Sequence, residues 1–283
     1  MIKLRLKTTF MIAIIAALVC PMMTVYAQPQ YASGNSRDVI EKMIKAHGGI
    51  EKWRSVPAIS FDAIMHNNYH DKNELAWWVA RESIDQKTRQ VYQDWYLNDA
   101  QIGYDGNNVW SNNWKKTNPP TSMLYFFYYF INLPWITQDD GVILSEVSQF
   151  EWPGHGGKTY HQVKMTFEKP PIIGKSALDY FILYIDPDSN LLVGYQYAVG
   201  NRALLKSLGQ PPERKLFGPL WRVITKHQTV DGLVFPAAFR TMPEADERIV
   251  GNHIITHVDV KTPFDFSKVK KPSTAVIDNV NNR

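Results

Sequence analysis

Over most of its length the chain alternates apolar and polar residues with the period of a β-strand. The cleanest case is 162–168, where Val163, Met165 and Phe167 alternate with Gln162, Lys164, Thr166 and Glu168. Side chains two apart share one face of a strand, so this stretch predicts a strand with one buried side. Runs rich in aromatic and β-branched residues, bounded by polar turns, extend the pattern. They predict strands over 58–67, 75–85, 90–98, 101–104 and 109–114, and again over 142–150, 159–168, 178–186, 191–199, 221–229, 233–241 and 249–261. Asp231-Gly232 is a strong hairpin signal, and Asp105-Gly106-Asn107 is a turn between two short strands. Short links make neighbouring strands antiparallel. About eleven strands at roughly 10–14-residue spacing predict a mainly β fold with some α, one highly curved sheet or open barrel.

Two stretches break this rhythm. From Ser36, a helix-capping residue, Val39, Ile40, Met43, Ile44 and Ile50 recur at helical spacing. His47-Gly48-Gly49 stops or kinks that helix, and residues 50–55 add a turn before Pro57. The second stretch is Thr121 to Trp135, TSMLYFFYYFINLPW. Thr121 and Ser122 can cap a helix there, and Pro134 ends it by Leu133. Nearly every side chain in it is apolar or aromatic, on all faces. Such a helix is either buried all round or covers something greasy, and it is too short for a bilayer, which takes about 20 residues. It reads as a core helix, or as a lid over a hydrophobic cavity on one face of the sheet.

The start of the chain stands apart from the fold. Lys3, Arg5 and Lys7 precede the apolar run Met11 to Cys20, and Val25-Tyr26-Ala27 resembles a cleavage site, so 1–27 reads as a secretory signal peptide cut near Ala27. Residues 28–35 are a polar, flexible leader, 36–267 the folded domain and 268–283 a polar tail. The expected location is periplasmic or secreted. The one cysteine, Cys20, lies in the leader behind Val19, where a lipoprotein cysteine would follow a small residue. The mature chain then has no disulfide, thiolate site or cysteine nucleophile. The net charge of +4 includes the three basic residues of the leader; without them 28 basic residues face 27 acidic ones. Bulk charge therefore gives no reason to expect nucleic acid as a partner. Aromatic residues make up 13%, which suits a large core, a ligand cavity or an interface.

Several motifs fail on inspection. Asp186 to Asn190 opens like a calcium loop, but Leu191 and Tyr197 stand where glycine and glutamate belong and the flanks are strands, so it is a hairpin turn. Gly154 to Thr159 lacks the first glycine of a phosphate loop and no helix follows it. On an extended strand, His253 and His257 stand about 13 Å apart and cannot share an ion; His66 and His70 fail likewise unless a turn joins them. No nucleophile elbow and no carboxylate pair appears, and neither a metal nor a cofactor is expected.

The order of segments carries a resemblance. VIEKMIKAHGGIEKW at 39–53 with VPAISF at 56–61, Tyr104-Asp105-Gly106 with Val109-Trp110, FINLPWITQDDGV at 130–142, the hairpin over 179–194 and VDGLVFP at 230–236 resemble secreted bacterial proteins related to the periplasmic lipoprotein carrier and its outer-membrane receptor. The resemblance covers most of 36–262. It implies an open antiparallel half-barrel of about eleven strands with an N-terminal helix and a central helical lid or plug on its concave side, where the carrier holds acyl chains. In the carrier a buried arginine holds the lid closed; Arg81 and Arg89 lie in the corresponding region, and no motif chooses between them. This chain is longer than the carrier and its lid more aromatic.

These readings combine into an exported, non-enzymatic, monomeric binding or carrier protein. Its ligand would be a lipid, a lipoprotein acyl chain or another hydrophobic small molecule. The expected lining is Met123, Phe126, Phe127, Phe130 and Leu133 from the lid, with Trp78, Trp95 and Trp110 from the sheet. Two alternatives remain. One is an envelope hydrolase, resting only on its histidines (His155, His161, His253, His257) and acids. The other is an interaction protein docking on an envelope partner through an exposed aromatic patch.

Overall fold

The computed structural model describes residues 28–67, 77–152, 156–243 and 249–278. The first part runs β1 (Gln30–Tyr31), α1 (Gly34–Ala46), α2 (Ile50–Ser55), β2 (Ala58–Asn67), β3 (Trp77–Asp85), β4 (Val91–Trp95), β5 (Ala100–Tyr104) and β6 (Val109–Asn112). Two helices follow, α3 (Pro120–Met123) and α4 (Phe126–Ile136). Then come β7 (Val142–Leu144), β8 (Ser148–Glu151), β9 (Thr159–Phe167), β10 (Tyr180–Ile185), β11 (Leu192–Val199), α5 (Arg202–Ser207), β12 (Phe217–Val230), β13 (Leu233–Met242), β14 (Gly251–Asp259) and β15 (Val276–Ile277).

All these strands belong to one open sheet, in the order β1-β7-β9-β10-β11-β12-β13-β14-β2-β3-β4-β5-β6-β15, with β8 alongside β9. Only β1 and β7 run parallel. The fold is mainly β, one large unclosed sheet with few helices. Fifteen strands among the described residues exceed the expected eleven, partly because 142–150 divides in two. Leu144 opposes Met165 and Ser148 opposes Gln162, so four steps on one strand meet three on β9 and the chain arches between them.

This strand order dictates where the helices lie. β6 is next to one edge of the sheet and β7 next to the other. The one link between them is the segment that carries α3 and α4, and it crosses the inner face. Alternation along the strands supplies that face. Ile59, Phe61, Ala63 and Met65 on β2, Ile84 on β3, and Val163, Met165 and Phe167 on β9 pack with Phe127, Ile131, Leu133 and Trp135 of α4 in one core. Each buried leucine- or phenylalanine-sized side chain there contributes roughly 1.5–3 kcal/mol.

Four local expectations are corrected. Ser33, not Ser36, caps α1; Ser36 is the third helical residue and returns a bond to the cap, completing a capping box. Residues 28–35 are not a loose leader, because Gln30 and Tyr31 pair with Ile143 and Leu144. The tail also joins the sheet: Val276 and Ile277 pair with Ser111 and Trp110, and Asp278 accepts bonds from the Thr121 backbone and hydroxyl, each 2.8 Å. The aromatic segment is two helices, not one. Leu124 is extended and Tyr125 is left-handed at φ 58°. α4 then runs through Pro134, which sits in its last turn and costs that turn one backbone donor. Gly174, at φ +83°, lets its loop touch α3, since a Cβ there would lie 2.1 Å from the Thr121 carbonyl oxygen.

Candidate functional site

The helices fill most of the concave side and leave a cavity of about 290 Å³ at one end of it. Met65 of β2, Trp78 of β3, Phe126 of α4, Val199 of β11 and Leu220 of β12 wall it. Leu204 of α5, with Leu208 and Phe217, closes the far side. The volume is near the lower end for small-molecule sites, about 300–1,000 Å³. A second hollow, about 500 Å³, lies outside between α2 and the end of α4. Arg54, Lys87, Arg89, Asp139 and Asp140 surround it, which makes its lining more polar than that of the first, and its tryptophans, Trp53 and Trp135, are stacked on each other and buried.

The apolar cavity contains one polar cluster, placed by sheet register. Arg222 on β12 sits opposite Thr241 on β13, and Thr241 sits opposite Gly251 on β14. His253 follows two residues later on the same face. Arg222 is 1% exposed. Its Nη1 donates to His253 Nδ1 at 3.0 Å and its Nη2 to the Tyr197 hydroxyl at 3.3 Å. A guanidinium only donates, so His253 Nδ1 must accept and Nε2 carries the proton, donated to Thr241 Oγ1 at 3.1 Å. Burial, helped by the adjacent Arg222, holds His253 well below the usual histidine range, and it is neutral. The Arg222 guanidinium lies 3.7 Å from the centre of the Phe130 ring of α4. Its Nε has no hydrogen-bond partner, and among the described residues no carboxylate pairs with it.

The other arginines considered from the sequence are compensated. Arg81 faces outward, 3.0 Å from Asp62 and 2.9 Å from the Ser60 hydroxyl. Arg89 pairs with Asp139 at 3.4 Å, and its carbonyl accepts the Tyr125 hydroxyl. Arg89 also lies over the Tyr128 ring of α4, at 5.2 Å, but it has its carboxylate; Arg222 is the arginine that meets the aromatic helix without an acid among the described residues, and sequence reasoning missed it. The signal available was an inward position, flanked on one face by Leu220 and Ile224. It was obscured because Trp221 and Val223 make the other face apolar as well.

The eight residues expected to line a cavity separate into four groups. Trp78 and Phe126 line it. Phe130 carries the Arg222 guanidinium and borders a small void of about 20 Å³. Met123, Phe127, Leu133 and Trp95 are in the packed core. Trp110 is on the opposite face: it pairs with Gly103, whose added Cβ would lie 2.3 Å from the indole, and its Nε1 donates to Val269 O at 2.7 Å. The described members of the histidine set named from the sequence do not converge; His47 and His227, outside that set, lie 5.9 Å apart ring to ring. His253 is in the cavity, His161 bonds Gln149, and His257 bonds Asp62 on the outer face, while His155 and His70 lie outside the described residues. Among the described residues no group of three metal-ligating side chains forms.

No protein-family model and no curated protein matches the chain. The chain is similar to several solved structures at low sequence identity. One is a LolA superfamily protein from Nitrosomonas europaea, at 6% identity and TM-score 0.48, covering 84% of this chain and 99% of that one. A DUF1329 family protein from Desulfovibrio piger has 9% identity and TM-score 0.46, covering 84% and 98%. A putative outer membrane lipoprotein-sorting protein domain from Vibrio parahaemolyticus has 7% identity and TM-score 0.45, covering 83% and 97%.

Proposed function

We propose that the chain is an exported carrier that holds a lipid, a lipoprotein acyl chain or another hydrophobic molecule without chemically changing it. The observation that carries this reading is the apolar cavity between the sheet, α4 and α5, in an interior otherwise filled by side chains. The basic residues and apolar run at the start of the sequence support export to the periplasm or beyond. The test is native mass spectrometry of protein taken gently from cell envelopes, with uptake of a fluorescent fatty acid by the delipidated protein. The expected results are an added lipid mass and saturable uptake, which Val199→Phe reduces by filling the cavity. A protein that carries no lipid and takes up no probe overturns the reading.

A second reading rests on a separate observation. Trp77, Tyr96 and Leu97 are 49%, 53% and 58% exposed. Trp77 adjoins Trp78 of the cavity wall, and Tyr96 and Leu97 follow Trp95 at that end of β4. Exposed apolar groups of this size suit docking to an envelope protein during transfer. Trp77→Ser should then slow cargo handover to such a partner while cargo binding stays intact; unchanged handover counts against it.

A further inference from the structure

The carrier reading leaves the chemistry of the cargo open, and Arg222 narrows it. A buried unpaired charge is among the costliest features a fold can carry, even after relaxation. A buried acid or lysine can lose its charge by proton exchange, but a guanidinium cannot. Arg222 has only neutral partners, the His253 imidazole and the Tyr197 hydroxyl, and a ring face at 3.7 Å. Among the described residues it has no acid. Its Nε–H, buried and unused, is one edge of the fork that binds an anion in bidentate fashion. The partners it has are held in place: His253 is fixed by Thr241 at its other nitrogen. Around this cation the cavity wall is mostly hydrocarbon and aromatic, with Met65, Trp78, Phe126, Val199 and Leu220, and the uncharged Asn118 and Gln210 also line it.

An apolar cavity with one fixed, unneutralised guanidinium matches a molecule that is apolar along its length and acidic at one end. We infer that the cargo is a single-chain amphiphile with an anionic head, a carboxylate or phosphate monoester, whose head pairs with Arg222 inside the cavity while its chain lies along the apolar wall. This rests on the carrier reading and deepens it. The arriving anion supplies the charge that the folded chain lacks. A neutral lipid of the same length would gain the same apolar contact and leave the guanidinium as it was.

The test is a head-group series on the delipidated protein, read by displacement of a bound fluorescent fatty acid: hexadecanoate, hexadecyl phosphate, hexadecanol and methyl hexadecanoate, with inorganic phosphate as the head alone. One or both acids should bind at least about tenfold tighter than the alcohol and the ester, as charge-assisted hydrogen bonds allow, and the tighter of the two names the head. Arg222→Met should abolish that preference and keep hexadecanol binding within about threefold. The wild-type series stands without the variant, should the variant fail to fold. Equal binding of acid and alcohol by the wild type overturns the anionic head while sparing the carrier. Failure of every sixteen-carbon compound to bind overturns both.

Discussion

Glu82 and Arg222 occupy comparable places, inward positions of one sheet under the segment that joins β6 to β7, and they are handled in opposite ways. Glu82 lies directly across from Gln93 on the neighbouring strand. Gln93 Nε2 bonds Glu82 Oε2 at 2.7 Å and the Met123 carbonyl of α3 at 3.2 Å, and Gln93 Oε1 accepts from Trp95 Nε1 at 3.1 Å. Burial pushes the Glu82 carboxyl up to about 8, against weaker lowering by Gln93 and Lys175. It therefore keeps its proton at neutral pH, and the corner closes around a neutral acid. Arg222 has no such exit. The core that packs over Glu82 is solid, whereas beside Arg222 it leaves a cavity. An ionisable group that can shed its charge is compatible with a sealed interior; one that cannot is placed where an outside charge can reach it.

The largest effect that separates the two corners is a truncation. Phe127, 6.0 Å from Trp95 ring to ring, seals the Glu82 side. Phe127→Ala should cost about 3–5 kcal/mol in chemical denaturation, and fatty acid should raise its stability no more than it raises that of the unaltered protein. Phe126→Ala, beside the cavity, should cost less. A ligand at a hundredfold excess over its dissociation constant should offset that loss by about 2.7 kcal/mol. Equal losses, both unmoved by ligand, would remove the distinction.

Next in size is the pH dependence. The folded Glu82 binds its proton more tightly than the unfolded chain does, so its contribution is complete below about 4.5 and is lost as pH rises to about 8. Glu82→Gln should therefore flatten a fall in Tm across that window, a difference on the order of a few kcal/mol. His47 works the other way. Burial lowers it to about 4, its Nδ1 donates to Val234 O at 2.7 Å and its Nε2 accepts from the Leu192 amide at 3.1 Å. The stability it contributes is present above about 6.5 and is lost as pH falls to about 4. The Gln variant should thus show rising stability from acid to neutral pH; a persistent fall above pH 6.5 would contradict the role given to Glu82.

The ligand-free stability of Arg222→Met comes third. Replacing an uncompensated buried charge by a side chain of similar length is neutral or stabilising by about 1–4 kcal/mol. A loss greater than about 3 kcal/mol would mean that Arg222 is a structural tie rather than a waiting charge. The smallest effect concerns α4 itself. Asn132 is fully buried there, and neither polar atom of its side chain has a partner. Asn132→Leu should stabilise the protein by about 1 kcal/mol, as read by the urea midpoint. Destabilisation would show that the amide is satisfied in solution.

Much of the architecture was legible along the chain. β2 was readable to the residue and β9 to within one, because each alternates a buried face with a more exposed one, and the period of two then marks both extent and register; β13 was readable to within one from the Asp231-Gly232 turn before it. The all-apolar stretch after Pro120 announced a buried helical segment. The break at Tyr125 was not legible, because nothing in LYFF requires a left-handed residue; the break comes from fitting two helices over one curved surface. Trp78 and Trp110 look alike in sequence, yet one lines the cavity and the other lies under the C-terminal segment at Val269, 159 positions away.

By itself, then, the sequence determined a strand-rich chain with a greasy helical segment, because local period and composition act over a few residues. It also determined that an arginine stands in an apolar strand. Only the tertiary structure decided that this arginine is buried without an acid. That depends on β11 to β14 being neighbours and on which side each presents inward, so that Tyr197, Arg222, Thr241 and His253 meet. Charge compensation is a property of what lies within a few ångströms in space, and no periodicity along the chain encodes it.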